Sequence, residues 1–181
     1  MKEIILGITG SIAAYKAAEI ANRLTKLNIS VHTIMTDAAT KFITPLTFQT
    51  LTKNKVYMDM FEEIFYHDVR HISLAQKADC FLIAPASANI IGKIAAGIAD
   101  DMLTTVIMAF KNKPIIICPA MNTAMYENPI TQRNIKTLTE LGYLFIEPKE
   151  SRLACGDLGK GALADIDEII KITVSRLEEA V

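Results

Sequence analysis

Two histidines have a spacing that could suit metal binding, and one of them could act as a general base. His67 and His71 are four residues apart, so a helix would place both rings on one face, as in a pair of metal ligands. No third side chain has matching ligand spacing, and we therefore expect no metal site. His71 alone could act as a general base at neutral pH, although a lone histidine is more often structural.

A cysteine and an asparagine are further candidates. Cys155 lies in a glycine-containing segment where a thiol can react, whereas Cys80 and Cys118 lie in apolar, strand-like runs and are expected to be inert. Asn122 follows another apolar run, beside two methionines and a tyrosine. Packing alone explains it poorly, because an amide buried among apolar groups needs hydrogen-bond partners.

The loops after the predicted strands could bind a ligand, because ligands of open parallel sheets bind beyond the carboxyl ends of strands. Residues 7–12 would bring backbone N–H groups to the positive end of a helix, which favours an anion. This loop is neither G-x-G-x-x-G nor a P-loop, so it does not indicate a dinucleotide or a nucleoside triphosphate, and a mononucleotide phosphate is allowed. A tight turn without ligand there, and a plain helix cap at residues 85–89, are equally compatible.

Short apolar runs alternate with amphipathic stretches along the chain, which predicts an α/β fold. We predict strands at Ile4–Ile8, Ile29–Met35, Cys80–Ala84, Ile115–Cys118 and Tyr143–Ile146. Helical segments are predicted at 12–27, 36–42, 45–51, 90–110 with an interruption near Gly97, 129–141 and 165–179. Residues 53–70 have no clear period, and residues 148–164 are predicted as a loop. Residues 1–181 are therefore predicted to form one Rossmann-like doubly wound domain, with a mostly parallel sheet flanked by helices.

Composition limits the classes of partner. The 181 residues include 19 Lys plus Arg and 20 Asp plus Glu, a net charge of -1, which gives no global field for nucleic acid or acidic membranes. No apolar stretch has the length of a transmembrane helix. The mean hydropathy of +0.28 is high for so small a chain, and we expect a buried subunit interface. Three cysteines without C-x-x-C spacing predict no disulfide framework, which fits a reducing cytoplasm.

The order of six motifs resembles the family of flavin-dependent cysteine decarboxylases. These motifs are residues 10–16, His71, residues 85–89, 99–105, 119–125 and 154–161, and they span nearly the whole chain. The resemblance is strongest to members that act in coenzyme A biosynthesis. It implies FMN-dependent decarboxylation of 4'-phosphopantothenoylcysteine to 4'-phosphopantetheine, through a thioaldehyde and an enethiolate of the substrate.

The resemblance also implies roles for individual residues. Positions that hold FMN in the family correspond to Gly10, Ser11, Ile12, Thr36, Ser87, Ala88, Asn89 and Ile90. Catalytic positions correspond to His71, Asn122 and Cys155, and substrate-binding positions to Asn122, Met125, Ala154, Gly156, Asp157 and Lys160. We expect His71 to serve oxidation and decarboxylation, Asn122 to hold the carboxylate, and Cys155 to supply a proton when the flavin returns its electrons.

Three positions depart from the family pattern. Ile90 replaces a common Thr, Tyr126 replaces Trp, and Ala162 stands where an Arg is common. The first departure puts one flavin hydrogen bond in doubt, and the second keeps an aromatic face. Without the Arg, Lys160 is expected to grip the substrate phosphate as a point charge.

The resemblance implies a homotrimer, or a dodecamer of trimers, with FMN and substrate at subunit contacts. Because the chain ends at Val181, we expect the phosphopantothenate–cysteine ligase of the pathway on another polypeptide. Alternatives are a peptidyl-cysteine decarboxylase, a flavin prenyltransferase and a non-enzymatic regulatory flavoprotein. Peptidyl-cysteine decarboxylases generally lack the Ala154–Asp157 segment, and flavin prenyltransferases lack the combined His71 and Asn122 motifs. Regulatory relatives often lose a catalytic residue.

Overall fold

A six-stranded parallel sheet organises the described part of the chain. The computed structural model describes residues 1–60, 70–152 and 158–179. The strands are β1 Glu3–Ile8, β2 Ser30–Met35, β3 Val56–Tyr57, β4 Cys80–Ala86, β5 Ile115–Pro119 and β6 Leu144–Phe145, and a separate antiparallel hairpin comprises β7 Lys149–Arg152 and β8 Leu158–Ala162. The helices are α1 Ala14–Lys26, α2 Pro45–Thr52, α3 Arg70–Lys77, α4 Ala88–Ala95, α5 Met102–Ala109, α6 Thr123–Glu127, α7 Pro129–Glu140 and α8 Ile166–Glu179.

Helices cover both faces of this sheet, which confirms the predicted doubly wound α/β fold. One apolar core packs α1, α2 and α8 against the sheet, and its members include Ile20, Phe48 and Ile169. The other core packs α3, α4, α5 and α7 against the opposite face. Strands buried on both faces must be apolar at successive positions, which explains why β4 and β5 consist of continuous apolar runs. None of the helices in the described ranges is both long and apolar enough to span a bilayer.

The strand order is β3-β2-β1-β4-β5-β6, so the direction of winding reverses between β1 and β4. The loops that leave these two strands separate to opposite faces of the sheet and open a crevice at its carboxyl edge. Thr9, the residue after β1, bridges this crevice at its base. Its hydroxyl donates to the carbonyl oxygen of Pro85 at 2.7 Å and accepts from the backbone N–H of Ser87 at 2.9 Å.

Several elements differ from the sequence prediction, among them helices α3 and α6, which were not predicted. Strand β3, which pairs with β2, lies in the stretch for which the sequence had no clear period. The β7–β8 hairpin lies in residues predicted as a loop, so that prediction was wrong. Strand β4 continues through Pro85 to Ala86 instead of ending before the proline. Its register with β5 shifts between Ile83 and Ala86, and at such an irregularity a proline, which has no N–H, removes no hydrogen bond between the strands.

The Thr9 bridge leads to a first prediction. The Thr9→Val substitution keeps the side-chain shape but leaves the Ser87 N–H and the Pro85 carbonyl without this partner in a buried site. We expect the free energy of unfolding to fall by about 1–3 kcal/mol, measured by urea denaturation. Thr139→Val is the matched control, since that exposed hydroxyl bonds only within α7, and we expect its effect to be within about 0.5 kcal/mol. Equal urea midpoints for Thr9→Val and the wild type would contradict the bridge's role.

Candidate active site

A cavity of about 610 Å³ occupies the crevice at the carboxyl edge of the sheet. Loops after four neighbouring strands, β2, β1, β4 and β5, supply most of its walls, as the strand-end rule predicts. The lining residues are Thr9, Gly10, Thr36, Asp37, Ala38, Ser87, Ala88, Asn89, Ile90, Lys93, Asp101, Ala120, Met121 and Met125. Hydroxyl, amide and backbone groups meet apolar side chains here, so the cavity suits a ligand with a polar end and a flat apolar part.

Gly10 allows the loops after β1 and β2 to touch. A Cβ atom at this position would lie 2.6 Å from the Cβ of Ala38, closer than two carbon atoms can approach. Ser11 and Ile12 follow Gly10 at the start of α1 and are not among the lining residues, although they were expected to bind the same ligand. The Ile12 side chain is 58% exposed on the surface of the single chain.

The segment after β4 presents the start of helix α4 to the cavity. Ser87 is the N-cap, and its hydroxyl accepts from the Ile90 N–H at 3.4 Å, while Ala88 and Asn89 line the wall. The Ile90 side chain is buried in the core, so the replacement of the family's Thr removes a hydroxyl but keeps the backbone cap. The segment therefore caps α4 and also forms part of the cavity wall.

Asn122 also has a structural explanation. Its side-chain oxygen accepts from the Ala124 N–H at 2.9 Å and caps the short helix α6. Asn122 is half-buried, and the N-cap gives its oxygen the hydrogen-bond partner that an amide at this position was expected to need. Its neighbours Met121 and Met125 line the cavity, which places Asn122 at the β5 end of the site.

The β7–β8 hairpin lies against this β5 end. The Met121 N–H donates to the carbonyl of Gly161 at 2.9 Å. A Cβ atom on Gly161 would lie 2.3 Å from the Met121 carbonyl oxygen, and one on Gly159 would lie 2.4 Å from the Thr123 hydroxyl. The hairpin can therefore dock on the loop around Asn122 only because these two positions are glycines.

Lys160 lies between the two glycines of β8. Its ammonium group pairs with Glu147, which raises the pKa of Lys160, and lies 5.9 Å from the centre of the Tyr126 ring. Tyr126 is buried, and burial raises the pKa of its hydroxyl. Tyrosine at this position thus keeps the aromatic face expected of the family's tryptophan and places a cation on it.

His71 lies in the first turn of α3 and is half-buried. Because α3 ends just before β4 begins, its first turn lies towards the carboxyl edge of the sheet, the same edge as the cavity. Lys113 fixes the other end of the helix by donating to the carbonyls of Ala75, Gln76 and Ala78 at 3.3, 2.6 and 2.7 Å. His71 itself is not among the residues that line the cavity.

Five predicted residues lie outside the described ranges: His67, Ala154, Cys155, Gly156 and Asp157. The other two cysteines are buried and free of disulfides, as the sequence indicated. Burial raises the pKa of the Cys80 thiol to about 12 and that of Cys118 still further, so neither is a reactive thiolate at neutral pH. The described residues contain no cluster of side chains able to hold a metal ion.

Sequence reasoning assigned no role to the charged wall of the cavity. Lys93 reaches it from the second turn of α4, and Asp101 from the N-cap of α5. The signal for Asp101 is its spacing to Thr104, which forms a capping box and marks the start of α5. No comparable signal identifies Lys93, because a helical lysine is normally part of a solvated face.

The sequence matches known proteins over nearly its full length. Residues 1–178 match the family described as Flavoprotein. The chain is 53% identical over 171 residues to a probable phosphopantothenoylcysteine decarboxylase of Streptococcus mutans, covering 94% of this chain and 96% of the relative. It is 45% identical over 178 residues to the coenzyme A biosynthesis bifunctional protein CoaBC of Bacillus subtilis, covering 98% of this chain but only 44% of that protein.

Solved structures with the same fold include two that are relevant to the cavity. A mutant PPC decarboxylase complexed with pantothenoylaminoethenethiol superposes with a TM-score of 0.90 at 36% identity, over 98% of both chains. The FMN binding protein AtHal3 superposes with a TM-score of 0.88 at 36% identity, over 98% of this chain and 97% of that one.

Gly161 provides the prediction from this site. In Gly161→Ala the hairpin must move away from the Met121 carbonyl, so we expect the hydrogen bond from the Met121 N–H to weaken. We also expect the free energy of unfolding to fall by about 1–3 kcal/mol. Faster deuterium exchange in the peptide that contains Met121, together with urea denaturation, measures both effects. Gly92→Ala is the matched control, because its Cβ would meet nothing closer than 3.8 Å and alanine favours the helix. Unchanged exchange in Gly161→Ala would show that the hairpin does not depend on this contact.

Proposed function

The chain belongs to the Flavoprotein family, and on this basis we propose that it is an FMN-dependent decarboxylase of 4'-phosphopantothenoylcysteine. The product is 4'-phosphopantetheine, an intermediate of coenzyme A biosynthesis. The observation that carries the proposal is the cavity, whose wall includes six of the residues expected at FMN positions: Gly10, Thr36, Ser87, Ala88, Asn89 and Ile90. The same cavity includes Met125 and borders Asn122, where the substrate is expected.

The cavity fits the chemistry of FMN. Its volume of about 610 Å³ lies within the ordinary range of small-molecule sites, about 300–1,000 Å³. The hydroxyl of Ser87 and the first backbone N–H groups of α4 provide donors for a phosphate. The side chains of Met121 and Met125 provide apolar contacts for a flat ring. When bound, FMN supplies a two-electron acceptor that can hand the electrons back, so that decarboxylation proceeds with no net redox change.

The protein's own groups then bind and orient the substrate. We assign Asn122, which caps α6 beside the cavity residues Met121 and Met125, to binding the substrate carboxylate. We assign His71 to the oxidation and decarboxylation half as base or electrostatic partner. Cys155, the third predicted catalytic residue, donates the proton in the return half. The ammonium of Lys160 attracts the substrate phosphate, which favours a phosphorylated substrate over a peptide.

Subunit contacts complete the site in this proposal. His71 lies outside the cavity of its own chain although it lies at the same edge of the sheet, which supports its action on a neighbouring subunit's site. Apolar side chains near the cavity loops are exposed in the single chain, among them Ile12, Tyr15, Phe42 and Leu46. A homotrimer, or a dodecamer of trimers, would bury such surface. We also assign the protein to the cytoplasm, in a pathway that includes a phosphopantothenate–cysteine ligase.

The proposal predicts a yellow protein that forms CO2 and 4'-phosphopantetheine from 4'-phosphopantothenoylcysteine. The measurements are the visible spectrum, the released CO2 and the thiol product identified by mass spectrometry. Stripping the flavin should abolish turnover and added FMN should restore it. Full-rate turnover by the flavin-free protein would refute the mechanism, and a protein that binds no FMN would refute the proposal.

Two variants divide the reaction into its halves. Cys155→Ser should release CO2 but stop with the flavin bleached and an aminoethenethiol as product, because the return half lacks its proton donor. The pantothenoylaminoethenethiol bound to a mutant PPC decarboxylase supports this expectation. His71→Asn should retain FMN and lose CO2 release. Normal phosphopantetheine formation by Cys155→Ser, or normal CO2 release by His71→Asn, would disprove the respective role.

Lys160 provides a test of substrate recognition. Lys160→Ala removes the ammonium expected to meet the phosphate, so we expect KM to rise about tenfold, equivalent to about 1.4 kcal/mol, with kcat less affected. The rise should disappear for the dephosphorylated substrate. Lys149→Ala is the matched control, since this lysine of the same hairpin pairs with Asp165 at a similar exposure. An unchanged KM in Lys160→Ala would exclude the phosphate contact.

A further inference from the structure

Lys93 holds an ammonium group in the wall of the cavity. Its Nζ donates to both carboxylate oxygens of Asp100, at 2.7 and 2.9 Å, and lies 3.6 Å from Oδ2 of Asp101. The Lys93 side chain is 23% exposed, and both Lys93 and Asp101 line the cavity. The start of α5 therefore fixes a lysine of α4 at the ligand site.

The anchors of this lysine are themselves fixed. Oδ1 of Asp101 accepts from the backbone N–H of Thr104 at 2.8 Å and from its hydroxyl at 2.7 Å, which closes the capping box of α5. Asp101 thus cannot move without breaking the helix cap. The position of the Lys93 ammonium therefore depends on how α4 is placed relative to the start of α5, where Asp100 accepts its hydrogen bonds and Asp101 lies 3.6 Å away.

Among the cavity-lining residues in the described ranges, Lys93 is the one cation, and two carboxylates, those of Asp37 and Asp101, line the same cavity. Its hydrogen bond to Asp100 raises its pKa, so it stays charged at neutral pH. An ammonium has three N–H donors, of which Asp100 takes at most two, and the 3.6 Å separation from Asp101 is too long for a hydrogen bond. The third N–H therefore has only this longer contact with Asp101, which an acceptor atom of a ligand in the cavity can replace with a shorter hydrogen bond.

The location of Lys93 favours the ring of a flavin over its phosphate. Hydroxyls and helix N–H groups lie around Gly10, Thr36 and Ser87, whereas Lys93 is six residues beyond the Ser87 cap, about 9 Å along the helix axis. Lys93 also follows Ile90 by three residues, so the two occupy neighbouring positions on one helix face. The Lys93 ammonium thus lies along the α4 wall of the cavity, beyond the groups that suit a phosphate.

We propose that Lys93 donates a hydrogen bond to the isoalloxazine ring of bound FMN and thereby stabilises the reduced, anionic form of the flavin. This inference rests on the FMN site proposed above. Reduction adds negative charge to the ring, and a fixed positive charge beside it lowers the free energy of that state relative to the oxidised one. Lys93 is then a cofactor-binding residue that sets how readily the substrate can be oxidised.

The test measures the midpoint potential of the flavin in the holoprotein by reductive titration against a reference dye. In Lys93→Met we expect the reduced flavin to bind about tenfold more weakly relative to the oxidised flavin, a shift of about 30 mV to more negative potential for a two-electron couple. Lys93→Arg keeps the charge and should keep the potential near that of the wild type. Lys136→Met removes an ammonium that is 79% exposed on α7 and should leave the potential unchanged.

A second variant should move the potential in the opposite direction. Asp100→Asn removes the counter-charge and leaves the ammonium less compensated, so the potential should become more positive. If Lys93→Met does not fold, the midpoint potential of Asp100→Asn tests the proposal instead. Potentials equal to that of the wild type in Lys93→Met, or in Asp100→Asn when only that variant folds, would overturn the inference while leaving FMN binding and decarboxylation intact.

Affinity measurements exclude the competing assignment to the phosphate. If Lys93 contacts the ring, Lys93→Met changes the affinity for oxidised FMN and the affinity for oxidised riboflavin by the same factor relative to the wild type, because both ligands carry the ring. Loss of FMN affinity alone, with riboflavin affinity and potential unchanged, would place Lys93 at the phosphate and overturn the proposal. A wild-type protein that binds neither flavin would refute the proposed function and this inference together.

Discussion

The hydroxyl of Thr9 is the interaction on which the geometry of the cavity depends. It donates to the Pro85 carbonyl and accepts from the Ser87 N–H, and so joins the loops after β1 and β4 at the point where the sheet reverses its winding. Helices leave these loops towards opposite faces, so backbone pairing beyond the strand ends cannot hold them together. A threonine that is only 1% exposed supplies one donor and one acceptor where both are needed. The orientation of the α4 N-terminus, and with it one wall of the cavity, follows from this bridge.

Sequence patterns predicted the fold well where burial determines the structure. Strands β1, β4 and β5 lie in apolar runs because helices cover them on both faces. Gly142 follows α7 with a φ of 93°, as a helix stop requires. The β7–β8 hairpin escaped prediction because it pairs with itself outside the main sheet, so no alternation of apolar residues was required of Lys149–Arg152. Its glycines are required by close contact with the loop around Asn122, which is distant in sequence, so no local pattern indicates them.

The candidate site was predictable to the extent that strand ends determine it. Ser87 to Ile90 directly follow a buried strand and could be placed by topology alone, whereas Lys93 and Asp101 enter the cavity from a helix interior and from the start of the next helix. Such positions depend on how α4 and α5 pack, which no local pattern encodes. For His71 the family resemblance supplied a role, but only the fold shows that the residue stands outside its own chain's cavity.

The two sides of the cavity are built with different rigidity, and this difference suits a cofactor that stays and a substrate that exchanges. The side made by the ends of β1, β2 and β4 is anchored in the central sheet through buried strands. The side near Asn122 is made by the short helix α6 and by a hairpin docked through the Met121–Gly161 hydrogen bond and glycine contacts. Opening that side costs a few local contacts and leaves the sheet intact, whereas opening the other would separate β1 from β4. A tightly held flavin with an exchanging phosphorylated substrate is the division of labour that this construction favours.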